Sequence, residues 1–120
     1  LQMPDWLPAS TQGIIGLQCR AQDAHTRDLI KPLADVDTMV VANAERAVAR
    51  VLEATCQVPL AVHAVLTGDT VHLKSIVSTI DGEESIQASG DAPAADAIAL
   101  GERVAADLIK NGAEKIIAAL

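Results

Sequence analysis

The sequence predicts an α+β fold: a three-stranded antiparallel sheet with helices packed on one face, preceded by an extra strand that does not belong to that sheet. Three observations lead there. Residues 60–66 are almost all apolar, residues 71–80 are rich in β-branched side chains, and residues 84–89 return after a turn. The separators are turn-formers, Thr67-Gly68-Asp69 and then Asp81-Gly82, which predicts a meander. Two long stretches on either side of the meander repeat apolar residues at helical spacing, and each needs a face to cover.

Residues 1–10 read as irregular, because Pro4 and Pro8 break both ladders and helices. Residues 13–20 read as a strand, with Ile15, Leu17 and Cys19 on one face and Ile14, Gly16 and Gln18 on the other. Asp23 caps a short helix running through His25 to Ile30, which Pro32 ends.

The clearest helix spans residues 38–53, capped by Asp37 or Thr38. Its buried face is Val40, Val41, Ala44, Ala47, Val48, Val51 and Leu52, with Glu45, Arg46, Arg50 and Glu53 largely off that stripe. It breaks in Thr55-Cys56-Gln57-Val58-Pro59, ahead of the meander. After the meander, Asp91 caps the last long helix and Pro93 is tolerated in its first turn. Ala97, Ile98, Gly101, Val104, Ala105, Leu108 and Ile109 form its apolar face. Asn111-Gly112 stops it, and residues 113–119 form one more short helix.

Composition narrows the class. The 120 residues suit one domain, half of them are apolar, and Trp6 is the only aromatic, so the core is built of Val, Ile, Leu and Ala. A formal charge of −7 argues against a nucleic-acid or anionic-membrane surface. No apolar run approaches the roughly 20 residues of a membrane span, and Leu1-Gln2-Met3-Pro4-Asp5 has neither the pattern of a signal peptide nor that of an ordinary translation start. Cys19, Cys56, His25, His63 and His72 do not complete a metal-ligand pattern. One disulfide between the two cysteines is arithmetically possible, but nothing signals secretion.

Several local patterns occur in a fixed order. They are Leu7-Pro8-Ala9-Ser10-Thr11-Gln12-Gly13 running into Gly16-Leu17-Gln18-Cys19-Arg20; Ala44-Glu45-Arg46 with Leu52 and then Cys56-Gln57-Val58-Pro59-Leu60; and Gly68-Asp69, Leu73, Asp81-Gly82, Gly101 and Asn111-Gly112-Ala113. Together they resemble the C-terminal part of the porphobilinogen deaminase (hydroxymethylbilane synthase) family over essentially the whole chain. The Cys-Gln-Val-Pro stretch, at this distance after Ala-Glu-Arg, is the most specific part.

The resemblance implies a three-domain cytoplasmic enzyme of tetrapyrrole (haem) biosynthesis. That enzyme joins four porphobilinogen molecules into hydroxymethylbilane, releasing ammonia. Growth takes place on a dipyrromethane cofactor held by a thioether to a cysteine of the third domain, and Cys56 matches that position. Gln12 and Gly13 match positions near the cofactor. Residues 1–33 correspond to the returning strand and connecting segment of the first domain, and residues 34–120 to the C-terminal cofactor-carrying domain.

The resemblance places the catalytic aspartate and most of the substrate-binding arginines upstream, so no catalytic residue is expected here and the isolated chain is expected to be inactive. The implied partners are the missing N-terminal domains and, for the whole enzyme, porphobilinogen. The strand at residues 13–20, parted from its sheet, invites pairing with a second copy of the chain.

Two departures bear on loop geometry. The family usually has Gly-Gly where this chain has Ala54-Thr55, and Gly-Gln-Gly where it has Thr11-Gln12-Gly13. The added Cβ atoms resist a positive φ, so the cofactor loop has reason to take a different path.

Each candidate has a plain structural reading beside the chemical one. A thiolate is the strongest side-chain nucleophile available to trap a pyrrolylmethyl electrophile, but a free cysteine can equally plug the end of a sheet. Gly13 suits close approach of backbone to a ligand and suits a turn equally well. Cys19 is expected in the core, Arg20 at the surface, Glu45 and Arg46 as a solvated or interdomain pair without chemistry, and His63 and His72 as structural residues of the sheet. The alternative function is a non-catalytic binding or interaction module that keeps the fold. Ala54-Thr55 favours that alternative, whereas Cys56-Gln57-Val58-Pro59 favours the cofactor carrier.

Overall fold

Three consecutive strands form one antiparallel sheet in the computed structural model, which describes residues 6–120. They are β1 (Leu60–Thr67), β2 (Thr70–Ser78) and β3 (Ser85–Pro93), in the order β1-β2-β3, so β1 and β3 are both edges. The β1–β2 turn is Gly68-Asp69, between the paired Thr67 and Thr70. Gly68 takes φ +60°, the conformation a two-residue hairpin with glycine first requires. The β2–β3 connection is longer than a two-residue Asp81-Gly82 turn. The last strand pair is Ser78 with Ser85, and the loop between is held by Thr79 N–H to the Glu84 carbonyl (2.9 Å) and Gly82 N–H to the Thr79 carbonyl (3.0 Å). Asp81 spends its carboxylate inside the loop, accepting from the Thr79 hydroxyl (2.5 Å) and the Glu83 N–H (3.1 Å).

Before the sheet come α1 (Ala24–Ile30), a 3-10 turn Lys31–Leu33 and α2 (Val36–Val51). After it come a 3-10 turn Ala94–Asp96, α3 (Ala97–Lys110) and α4 (Ala113–Ala118). The expected α+β arrangement is present. Both α2 and α3 pack on the face carrying Val62, Ala64, Val71, Leu73 and Val77, and they pack on each other. The core is aliphatic throughout, with Val48, Leu73, Leu100, Val104 and Leu108 fully enclosed. Ser75 lies in the same layer and stays satisfied by donating to the Ala61 carbonyl (3.1 Å).

The helix termini differ from expectation in instructive ways. Asp23 caps α1 as expected, accepting from Thr26 N–H at 3.0 Å. The cap of α2 is Asp35 rather than Asp37 or Thr38, because its carboxylate reaches Thr38 N–H at 2.8 Å and starts the helix two residues early. Asp91 caps no helix. It lies inside β3 opposite His72, and the strand runs on until Pro93, which lacks the N–H to continue an edge. The cap of α3 is then Asp96, without a side-chain hydrogen bond. Val51 and Ile98, expected on buried faces, are exposed at the margins of their stripes.

Residues 14–20 stand outside the sheet and pair with nothing among the described residues. The strand expected over residues 13–20 is not formed: Gly13 belongs to a turn, residues 14–20 are irregular because no neighbouring strand supplies a ladder, and Ile15 is 91% exposed. Cys19 corrects the expectation of a core position: it is half-buried and absent from the core cluster, because the segment that carries it joins no strand of the sheet. The expected irregular stretch is described only from Trp6 onward, so its residues 1–5 lie outside the described residues.

Candidate functional site

The end of α2 determines how Cys56 is presented. Glu53 takes φ +49°, the left-handed conformation that commonly closes a helix. The Glu53 N–H donates to the Arg50 carbonyl (3.1 Å) and the Ala54 N–H to the Ala49 carbonyl (2.9 Å), the paired bonds of a Schellman motif. The left-handed residue is therefore Glu53, so Ala54 and Thr55 escape any demand for positive φ. Thr55 then organises the next turn. Its carbonyl accepts from Val58 N–H (3.0 Å), and its hydroxyl accepts from Gln57 N–H (3.4 Å), a bond that glycine could not make.

Cys56 sits on this turn as an exposed free thiol, between α2 and β1. Pro59 leads into the sheet and accepts from Ser78 N–H (3.1 Å), which fixes the loop to the end of β2. Cys56, Gln57, Val58 and Pro59 thereby share an open depression of ≈ 600 Å³ with Ser78, Thr79, Ile80, Asp81, Gly82 and Leu120. The wall is largely apolar and its one ionisable side chain besides the thiol is the acidic Asp81, whose carboxyl the Thr79 hydroxyl and then the Glu83 N–H hold below the ordinary range. No lysine or arginine lines it. It offers a nucleophile and an apolar surface, and it offers no countercharge for an anionic ligand. Sequence reasoning found Cys56 but missed Ile80 and Leu120, since only the folded register of β2 and the position of α4 bring these distant residues to it.

Gln12 and Gly13 lie on a tight turn of their own. Gln12 N–H donates to the Ala9 carbonyl (3.1 Å), its side-chain Oε1 accepts from Ala9 N–H (3.1 Å), and Gly13 takes φ +84°. Both residues are exposed, and neither lines the depression that holds Cys56. What fixes this turn is Glu45, which was expected in a solvated or interdomain pair. It is instead only 4% exposed. Its carboxylate accepts from Thr11 N–H (2.6 Å) and from Ala64 N–H on the free edge of β1 (2.9 Å), with His63 Nδ1 at 3.8 Å. A buried carboxylate requires such partners, and the edge strand supplies one that water would otherwise serve. The signal in the sequence was faint: a lone acid flanked by Ala42, Ala44, Ala47 and Val48 at the border of an apolar stripe.

The remaining candidates are peripheral. Arg20 is exposed, as expected. Arg46 and Arg50, one turn apart on α2, line a separate depression of ≈ 280 Å³ with Ala49, Glu53 and Ala54. His72 Nδ1 meets the Asp91 carboxylate at 2.7 Å across the open face of the sheet, a cross-strand pair. No three metal-ligating side chains cluster among the described residues, and no helix there is long and apolar enough to cross a membrane.

Residues 39–110 match the model of the porphobilinogen deaminase C-terminal domain. That match takes in α2 from its first turns, the Cys56 loop, the whole sheet and α3. The chain is 46% identical over 114 residues to a porphobilinogen deaminase of Syntrophotalea carbinolica, with 95% of this chain and 36% of that protein covered. It is 43% identical over 117 residues to one of Syntrophobacter fumaroxidans, covering 98% and 38%, and 40% identical over 120 residues to one of Bordetella parapertussis, covering 100% and 38%. It thus spans little more than a third of the length of these relatives. With that family model matching more than half of the chain, and relatives this similar aligned along nearly all of it, the chain belongs to the porphobilinogen deaminase family, as a C-terminal part of it.

Proposed function

We propose that this chain is the cofactor-carrying portion of a hydroxymethylbilane synthase, with Cys56 as the thioether anchor of dipyrromethane. The observation that carries the reading is the exposed Cys56 thiol on the α2–β1 loop, at the rim of a largely apolar depression, in a chain of this family. The donor suits the group: an accessible sulfur would form a stable C–S bond with the pyrrolylmethyl cation left when that carbon loses its leaving group, the thiol proton passing to solvent. When bound, the dipyrromethane supplies the growing end to which four porphobilinogen units are added. The residues of this chain hold that anchor. Thr55 and Pro59 fix the turn on either side of the sulfur, and Val58, Ile80 and Leu120 offer apolar surface.

The chain's limits follow from the same geometry. With no cation around the Cys56 depression and a net charge of −7, the carboxylates of the pyrroles must be held by other parts of the enzyme. In this reading residues 1–33 belong with the first domain and residues 34–120 form the cofactor-carrying domain. Gln12 and Gly13 stand near the cofactor, the N-terminal domains are the working partners, porphobilinogen is the substrate of the whole, and the setting is the cytoplasm. Alone, the chain is inactive, and it pairs with a second copy through residues 13–20.

The test uses the full-length protein. With Cys56→Ser, a pyrrole colour reagent finds no protein-bound pyrrole; with Cys19→Ser, it finds the wild-type amount. Colour retained in Cys56→Ser overturns the assignment.

A further inference from the structure

The turn at residues 9–13 is held in a conformation that its sequence resists. Thr11 has φ +58°, a left-handed conformation that a β-branched residue adopts only under constraint. Such a residue persists when its surroundings over-determine it. Here the constraint is visible. Thr11 N–H donates at 2.6 Å to Glu45 Oε2, while the Thr11 carbonyl accepts from Ile14 N–H (3.1 Å) and Gln12 braces Ala9 through backbone and side chain. One residue pair further along, the Pro8 carbonyl accepts from Val62 N–H at 2.9 Å.

Val62 and Ala64 are alternate residues of β1, and both N–H groups point away from β2 along the free edge. The first is taken by Pro8 and the second by Glu45 Oε1. The N-terminal turn thus covers an edge that would otherwise be open to strand addition, and a single carboxylate joins the two. Glu45 belongs to α2, the helix whose C-terminal Schellman turn presents Cys56.

We infer that Glu45 is a positioning residue that latches the turn carrying Gln12 and Gly13 onto the edge of β1, so that this turn and the helix leading to Cys56 move as one body. The physical claim stands on the geometry alone; its meaning for the cofactor rests on the reading given above. Without the carboxylate, Thr11 loses the partner that offsets its strain, and the turn swings free of the sheet while the sheet and helices remain. Glutamine keeps one acceptor oxygen and turns its amide NH2 toward the other N–H, so it restores part of the latch.

Residue-resolved amide exchange on the 120-residue chain tests this. In Glu45→Ala, exchange of the Thr11 and Ala64 amides speeds up by about tenfold or more, as expected when a charge-assisted bond to a buried carboxylate is lost, while the β2–β3 ladder amides keep their wild-type rates. Glu45→Gln falls between, and it serves alone where Glu45→Ala does not fold. Thr11→Gly in the Glu45→Ala background recovers part of the protection by relieving the left-handed strain. Unchanged exchange at Thr11 and Ala64 overturns the proposal. So does a uniform rise across the sheet, which would make Glu45 a general packing residue. Failure of pyrrole attachment at Cys56 leaves these rates untouched, so the latch and the cofactor assignment fail separately.

Discussion

Gly101 of α3 lies directly beneath the backbone carbonyl of Ala44 in α2. A Cβ at position 101 would meet that oxygen at less than any real contact distance and would stand 2.6 Å from the Ala47 Cβ. The two helices can come this close only because one of them presents no side chain there. This contact sets the position of α2 over the sheet, and with it the loop that carries Cys56.

Gly101→Ala therefore forces the helices apart. The expected cost is about 2–3 kcal/mol, despite alanine's better helix propensity. Thermal denaturation followed by circular dichroism should show a midpoint lower by roughly 5–12 °C. An unchanged or higher midpoint would mean that α2 and α3 do not pack in this way.

Acid should weaken the chain through two helix caps and one loop carboxylate. Asp23 and Asp35 are held below the ordinary aspartate range first by the backbone N–H groups of Thr26 and Thr38, and Asp81 first by the Thr79 hydroxyl. A carboxyl whose pKa is lower folded than unfolded stabilises the fold above its unfolded value of about 3.9, and that contribution is lost as pH falls through the folded value. Stability should thus be flat in these groups from neutral pH down to about pH 5 and decline below about pH 4. Asp35→Asn keeps a capping oxygen and removes one titrating group, so its stability should fall less steeply with acid. An equally steep decline in that variant, measured by denaturant midpoints across pH, would remove Asp35 from the explanation.

Much of this fold was legible in the sequence, and the failures share a cause. The meander, the two packed helices and the stop at Asn111-Gly112 are local patterns, and they appear as expected. Asp91 was misread because Asp-Ala-Pro suits a helix start as well as a strand end, and only the register with His72 decides between them. The Cys56 loop was placed correctly, but its conformation was not readable. The Cβ atoms at Ala54 and Thr55 suggested a diverted path, whereas Glu53 absorbs the left-handed turn one residue earlier. Glu45 left only a faint trace because its role depends on two N–H groups distant in sequence, those of Thr11 and Ala64.

Association through residues 14–20 is expected of the isolated chain. Ile15 and Leu17 are exposed at 91% and 57% on a segment that pairs with nothing among the described residues, and such edges invite a second copy. Light scattering after size exclusion should give a mass above that of a monomer at micromolar concentration, and Ile15→Lys with Leu17→Lys should return it to the monomer. A wild-type chain that stays monomeric throughout would show that the segment is harmless alone.

The isolated chain should consume no porphobilinogen. The Cys56 depression contains one acidic side chain, Asp81, already committed to Thr79 and Glu83, and no basic side chain to hold a substrate carboxylate. Incubation with porphobilinogen followed by absorbance of uroporphyrin should match a blank without protein. Steady product formation would place catalytic machinery within these 120 residues.

The assignment of Cys56 is tested most directly by peptide mass spectrometry of the full-length protein. Trypsin separates the two cysteines, since Cys19 precedes Arg20 whereas Cys56 lies between Arg50 and Lys74. The peptide containing Cys56 should carry the added mass of two linked pyrrole units on its sulfur, and the peptide ending at Arg20 should be unmodified. The 120-residue chain made alone should show both sulfurs unmodified. Pyrrole units on Cys19, or an active full-length enzyme whose Cys56 is bare, would contradict the account.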